Sequence, residues 1–197
     1  MTTFFLLRHG RTDWNAEKRI QGRTDTDLAP EGEAMAEAWA RELADLELDR
    51  VLTSGLKRAV RTAEIVCAGR DLPADHDPRL AEQDWGRWTG LTKPELKQLG
   101  KQLARCEKQG FGFCPPGGES REAVLCRACD ALLDFAQAHP EARVLVVTHN
   151  GVLKCLLNAL SGLEFLPGEP PLPEGYRVHR VECIENELAL GGSGPEL

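Results

Sequence analysis

The sequence predicts a three-layer α/β/α fold with a mostly parallel central sheet, helices on both faces and an inserted cap region. Three observations carry that expectation. Short apolar runs alternate with segments of helical spacing, the pattern of strands joined by crossover helices. Two of those runs, residues 3–7 and 144–147, are dominated by consecutive apolar residues, as suits buried strands, and the second is continuous enough for a strand buried on both faces. Each run is closely followed by a histidine, His9 or His149, and open α/β sheets place their chemistry at the carboxyl ends of strands.

In chain order, residues 3–7 carry two aromatics and end at Arg8-His9-Gly10, reading as a buried strand that runs into a functional turn. Residues 31–48 place Met35, Ala38, Trp39, Leu43 and Leu46 at helical spacing behind Pro30, whose fixed φ suits a first turn. Val51, Leu52 and Thr53 predict a second strand; Ser54-Gly55 turns the chain, and Ala59, Val60, Ala63 and Val66 mark the next helix.

Residues 72–116 interrupt this alternation. They crowd His, Asp, Trp and Gly between positions 76 and 90, hold a short amphipathic piece near 94–109, and end in Gly110-Phe111-Gly112-Phe113-Cys114-Pro115-Pro116, which predicts a cap-like excursion over a site. Residues 119–139 resume a helix, with Val124, Leu125, Ala128, Leu132 and Phe135 on one side and Pro140 as its stop. Residues 143–148 form the clearest strand. Val152, Leu153, Leu156, Leu157 and Leu160 mark a helix after His149-Asn150-Gly151, and two strands, 176–182 and 184–190, precede a flexible tail at 191–197. A length of 197 residues suits one domain over the whole chain.

Composition narrows the function. A net charge of -7 argues against sequence-independent binding to nucleic acid, which depends on basic surface, so any phosphate must be met by a local cluster of cations. No run approaches the roughly 20 apolar residues of a membrane span, and the apolar start is too short for a signal peptide, so a cytoplasmic protein without membrane partners is expected. Seven cysteines are an odd number, and Cys67, Cys126, Cys129 and Cys155 fall in helical patterns, which favours reduced thiols. Cys126 and Cys129, with Cys106 and Cys114 upstream, lack the second close pair of a zinc site, so no metal and no cofactor are expected.

If the strands before His9 and His149 are parallel neighbours, both imidazoles emerge at one sheet edge. Arg8 lies beside His9, and Arg58 lies in the first turn after the strand at 51–53. Two imidazoles and two guanidiniums then converge on one cleft, a set suited to a tetrahedral dianion.

These residues also resemble a family. Leu7-Arg8-His9-Gly10-Arg11-Thr12-Asp13-Trp14-Asn15 is similar to the signature of the histidine phosphatase superfamily, also called phosphoglycerate mutase-like. The resemblance continues in register through Arg19-Ile20-Gln21-Gly22, Thr53-Ser54-Gly55-Leu56-Lys57-Arg58-Ala59, Leu80-Ala81-Glu82, Gly86-Arg87-Trp88-Thr89-Gly90 and Thr148-His149-Asn150-Gly151, covering roughly residues 3–160. It implies that His9 is the nucleophile, that Arg8, Arg58 and His149 bind the transferring oxygens, and that Glu82 is the proton donor. Asn15, Gln21, Gly22 and Asn150 are the implied substrate-binding positions.

Read without the family, Asp75, Asp77, Asp84 and Glu119 are rivals for the acid, because each lies in or near the same stretch. Trp88 reads as a packing residue, whereas Trp85 fits either packing or the pocket. Asn150 replaces a common family glycine, and Ala29 replaces a threonine able to cap the following helix. The segment after Glu82 and Pro116-Gly117-Gly118-Glu119-Ser120 resemble the small bacterial phosphatases, including α-ribazole phosphatases, more than the glycolytic mutases.

The leading expectation is therefore a metal-independent phosphatase acting on a small phosphorylated metabolite, with α-ribazole phosphate and sugar or glycerate phosphates as candidate substrates. The alternatives are a cofactor-dependent phosphoglycerate mutase and a phosphate-binding interaction module without turnover. Oligomeric state stays open, with a carboxyl-terminal edge strand compatible with a homodimer.

Overall fold

The computed structural model describes residues 1–170 and 176–192. Six strands form one sheet: β1 (Thr2–Arg8), β2 (Arg50–Thr53), β3 (Ala74–His76), β4 (Arg143–Thr148), β5 (His179–Ile184) and β6 (Glu187–Leu190), in the order β3-β2-β4-β1-β5-β6. β3, β2, β4 and β1 run parallel, and β5 and β6 are added antiparallel. The fold class expected from the alternation of apolar runs is the one observed.

The strands' side chains sort onto two cores. Phe4, Leu6, Val144 and Val146 face α6 (Arg121–Ala138) and α7 (Asn150–Leu160), whereas Phe5, Leu7, Leu145 and Val147 face α2 (Pro30–Glu42) and α3 (Lys57–Val66). This period-2 division explains why β1 and β4 carry apolar residues at successive positions. Each such side chain fully removed from water contributes about 1.5–3 kcal/mol.

Register positions the chemistry. Arg8 lies opposite Thr148 in the parallel pairing of β1 and β4, so the next residues, His9 and His149, leave the sheet side by side. Gly10 and Gly32 let the loop after β1 press onto the start of α2: a Cβ at Gly10 would meet Gly32 O at 2.6 Å, and one at Gly32 would meet Arg11 O at 2.0 Å.

Several boundaries differ from expectation. The helix expected over 31–48 ends at Glu42, because the Arg70 guanidinium takes the carbonyls that a further turn would use: those of Ala44 at 2.6 Å, Leu46 at 3.0 Å and Leu43. Its N-cap, Ala29, makes no side-chain cap bond, as its lost hydroxyl implied. Inside the stretch read as an excursion, Ala74–His76 pairs with Val51–Thr53 as an edge strand of the sheet. The amphipathic piece there is two helices, α4 (Lys93–Gln98) and α5 (Lys101–Glu107), split at Gly100 with φ +50°.

The helix expected from 119 starts at Arg121, capped by the Ser120 hydroxyl. The closing strands are displaced from 176–182 and 184–190: the first begins only at His179 and runs on to Ile184, and the second begins at Glu187, since Glu185 and Asn186 both take positive φ and form the two-residue turn between them. Of the expected tail, Gly191 is tied by its N–H to Arg180 O at 2.9 Å, and residues 193–197 lie outside the described residues. Among the described residues no helix is long and apolar enough to cross a membrane.

Candidate active site

His9 is nearly buried at the end of β1, its N–H bound to Thr148 O at 3.0 Å. Its Nδ1 lies 2.7 Å from Gly10 O. A carbonyl can only accept, so Nδ1 carries the proton and Nε2 presents its lone pair. Burial, then the charges of Arg8 and Arg58, pull the ring's pKa well below the ordinary imidazole value, with the Gly10 carbonyl opposing, so the ring is neutral at neutral pH.

Three elements supply its neighbours. His149, at the start of α7, stands with its ring centroid 5.1 Å from that of His9, fully buried. Its Nε2 meets Ser54 Oγ at 2.7 Å, and its pKa too is held well down, by burial first and then by His9, Arg58 and Arg8. Arg58, also fully buried on α3, donates from Nη1 to Thr24 O at 2.7 Å and from Nη2 to Gly22 O at 2.9 Å. Burial lowers its pKa while Glu82 and Asp25 oppose, and a guanidinium that starts above about 12 remains a cation. Arg8 lies under the Tyr176 ring, 5.0 Å from its centroid.

Four buried side-chain nitrogens among the described residues have no hydrogen-bond partner, and three of them are Arg8 Nε, Arg58 Nε and His149 Nδ1. Buried donors are ordinarily satisfied. Unsatisfied ones on three elements packed around a single neutral imidazole are a set of donors that an anion would complete.

The loop carrying Glu82 is fastened from below, where Thr148 Oγ1 donates to Leu80 O at 2.7 Å. The Glu82 carboxylate accepts from Gln83 N at 2.9 Å and from Gly151 N at 3.2 Å. The second fastening joins α3 to the nucleophile's loop: Thr62 Oγ1 accepts from Gly10 N at 3.0 Å and donates to Arg58 O at 2.6 Å.

A cleft of about 520 Å³ opens over this cluster, lined by every site position named from the sequence except His149, which is fully buried. Asn15 joins Thr12 in a reciprocal cap of α1 (Asp13–Ala16) that engages Oδ1, leaving its Nδ2 donors for the cleft. Gln21 Oε1 likewise accepts from Thr26, leaving its amide N–H groups. Among the described residues Glu82 is the one carboxylate on the cleft wall. Its rivals are spent elsewhere: Asp75 on Arg50, Asp77 on Arg79, Asp84 on the Gly86 N–H, and Glu119 on Arg127 and Arg23. Trp88 is buried against Phe113, and Trp85 both touches that pair and lines the cleft.

Sequence reading missed Ser54, Tyr176 and the rim lysines. Lys18 and Lys93 line the cleft and are neighbours through the backbone, with Lys93 N–H bound to Lys18 O at 2.9 Å. Lys18 holds a left-handed φ of +55° to reach that place. Arg19, beside them, is tied to Glu17 and to Gly90 O.

Comparison with known proteins gives a consistent picture. A model of the histidine phosphatase superfamily (branch 1) matches residues 4–185. The "Probable phosphoglycerate mutase GpmB" of Cronobacter sakazakii is 36% identical over 83% of this chain and 76% of its own. Among solved structures, Bacillus stearothermophilus YhfR superposes with a TM-score of 0.87 at 33% identity, covering 100% of this chain and 98% of that one. Mycobacterial glucosyl-3-phosphoglycerate phosphatase, in complex with VO3, superposes at 0.85 with 26% identity and 99% coverage of both chains. The α-ribazole phosphatase of Shigella flexneri does so at 0.78 with 27% identity, over 96% and 94%.

Proposed function

The chain belongs to the histidine phosphatase superfamily, and from that premise we propose that it hydrolyses a small phosphomonoester through a phosphohistidine on His9. The observation that carries this reading is the set of three unsatisfied buried donors, Arg8 Nε, Arg58 Nε and His149 Nδ1, gathered around an imidazole whose tautomer exposes Nε2.

In the first half-reaction His9 Nε2 forms a bond to phosphorus as the P–O bond to the alcohol breaks, and Glu82 gives its proton to the departing oxygen. An alkoxide is a very poor leaving group without that proton. Negative charge spreads over the equatorial oxygens, where fixed donors act without reorganising. In this reading His149 contributes as a neutral donor: Ser54 Oγ, which also accepts from Leu56 N at 3.4 Å, gives its hydrogen to Nε2 at 2.7 Å, and the ring carries its proton on Nδ1 toward the phosphoryl oxygens. In the second half-reaction water attacks phosphorus, Glu82 takes its proton, the P–N bond breaks and inorganic phosphate leaves.

Lys18 and Lys93 at the rim, which form no ion pair among the described residues, favour esters with a second acidic group over sugar phosphates or α-ribazole phosphate. A glycerate phosphate fits best. The glucosyl-3-phosphoglycerate phosphatase and the GpmB relative, whose names both carry phosphoglycerate, support that choice. The same pocket would serve a mutase, which returns the phosphoryl group to a product before water intervenes.

The deciding experiment measures phosphate release from a panel of phosphorylated metabolites, α-ribazole phosphate among them, and traps the phosphoenzyme. A base-stable, acid-labile phosphoenzyme absent from His9→Ala is expected; normal turnover by that variant would remove the mechanism. Bisphosphoglycerate-dependent interconversion of phosphoglycerates, faster than phosphate release, would select the mutase instead. Binding without any turnover would select the interaction module.

A further inference from the structure

Beneath the cleft, Glu119 grips the loop that presents Glu82. Its carboxylate accepts from Arg127 Nε at 2.8 Å and Nη2 at 3.0 Å, from Arg23 Nη2 at 3.2 Å and from Asp84 N at 3.3 Å. Its backbone joins in: the N–H donates to Asp84 O at 2.9 Å, and the carbonyl accepts from Gln83 Nε2 at 2.8 Å. Both guanidiniums it holds then reach the carbonyl of Glu82 itself, Arg127 Nη2 at 3.3 Å and Arg23 Nε at 3.4 Å. Arg127 also binds Arg79 O, at the head of the same loop. Glu82 and Asp84 thus hang from one carboxylate and the two cations that it orients, and Gln83, between them, from the backbone carbonyl of the same residue.

We infer that Glu119, acting through Arg127 and Arg23, is the positioning residue that fixes where the Glu82 carboxylate stands over the leaving group. The inference rests on the reading of Glu82 as the acid and base. Glu119 does not line the cleft and touches no reacting atom, so its contribution is geometric. Only 15% of its side chain and 15% of that of Arg127 are exposed, which keeps this bidentate pair from water and gives it a rigidity that an exposed pair lacks. Burial pushes the Glu119 pKa up, but Arg127, the Asp84 N–H and Arg23 outweigh it and hold it below the usual range, so the carboxylate stays charged at neutral pH.

Leaving-group dependence separates positioning from general damage. A nitrophenolate departs without help, whereas an alkoxide needs the proton from Glu82. kcat/KM, which reports the steps through departure of the alcohol, should fall about tenfold in Glu119→Gln on an alkyl phosphate, less than the roughly hundredfold of a 1 Å misplacement. On p-nitrophenyl phosphate it should fall about twofold or less, and the inhibition constant of vanadate should move by less than about twofold. Arg23→Ala, at a half-exposed side chain, should show the same pattern at about threefold and serves if Glu119→Gln does not fold.

Equal losses on the two esters, or a parallel loss of vanadate affinity, would make Glu119 a general structural support and overturn the inference. Glu82→Gln distinguishes the two levels. If it too loses equally on both esters, the acid assignment fails and this inference with it; if Glu82→Gln shows the dependence and neither Glu119→Gln nor Arg23→Ala does, only the positioning role fails.

Discussion

Gly151 and Glu82 are fitted to each other: the glycine's N–H binds Glu82 Oε2 at 3.2 Å, and a Cβ at position 151 would lie 2.2 Å from Oε1. The glycine is in the first turn of α7 with ordinary helical backbone, so what it provides is room for the carboxylate. Gly151→Ala should therefore push the flexible end of Glu82 aside while leaving the fold intact. Alanine is better in a helix by up to about 1 kcal/mol, so the midpoint of chemical denaturation should hold or rise. Turnover of an alkyl phosphate should fall by about one to two orders of magnitude, as befits a displaced general acid. Loss of stability and activity together would contradict this account.

Among the described residues Ser54 is the sole side-chain partner of His149 Nε2, and both groups are buried. Ser54→Ala would leave that nitrogen unsatisfied at a cost of about 1–3 kcal/mol, and would free the ring to change tautomer. Vanadate affinity and kcat/KM should both fall about tenfold or more, because His149 Nδ1 would no longer be held as a donor. Unchanged vanadate binding in a folded Ser54→Ala protein would show that the hydroxyl does not set the ring.

The readable parts of this molecule were those encoded locally. His9 and His149 announce themselves by closely following apolar runs, and Arg58 by its place in the family pattern. Ser54 was quoted within a motif, yet its role was hidden because its partner is 95 positions away. The grip of Glu119 on the Glu82 loop is likewise a contact between distant segments, and on the sequence alone Glu119 looked like a rival acid. β3 escaped because Ala74-Asp75-His76 has no apolar alternation and is mostly exposed, so only its pairing with β2 makes it a strand. The end of α2 depends on Arg70, outside any window in which helical periodicity can be read.

Stability should depend on pH through the two buried imidazoles. His9 and His149 both have folded-state pKa values well below 6.5, and His179 is lowered as well, by burial and then Arg177. In the unfolded chain these rings take up protons as pH falls through about 6.5, whereas in the folded protein they do not. The unfolded state then binds more protons, so stability is fully present above about pH 6.5 and is lost as pH falls from there toward the folded-state values, by up to about 1.4 kcal/mol per pH unit for each fully buried ring. Urea unfolding at pH 7.5, 6.5 and 5.5 checks this, and His9→Ala should show a shallower decline. A stability that rises on acidification over that window would refute it.

Arg58 has two tasks that one guanidinium can combine and an ammonium cannot. Its Nη groups hold the carbonyls of Gly22 and Thr24, which fixes the loop bearing Gln21, while its Nε is an unsatisfied buried donor beside His9. Lysine keeps the charge but offers a single nitrogen with tetrahedral donors, so Arg58→Lys must abandon either the loop or the anion. If the ammonium stays with the loop, stability is largely kept and kcat/KM falls about 10²–10³-fold, the usual loss for one preorganised donor to a developing negative charge. If it turns to the anion, two buried carbonyls lose charge-assisted bonds worth about 1.5–3 kcal/mol each, and the loss appears in denaturation instead. Measuring both quantities on the same variant tells which task dominates, and retention of both within about threefold would show that the fork geometry of Arg58 is not needed for either.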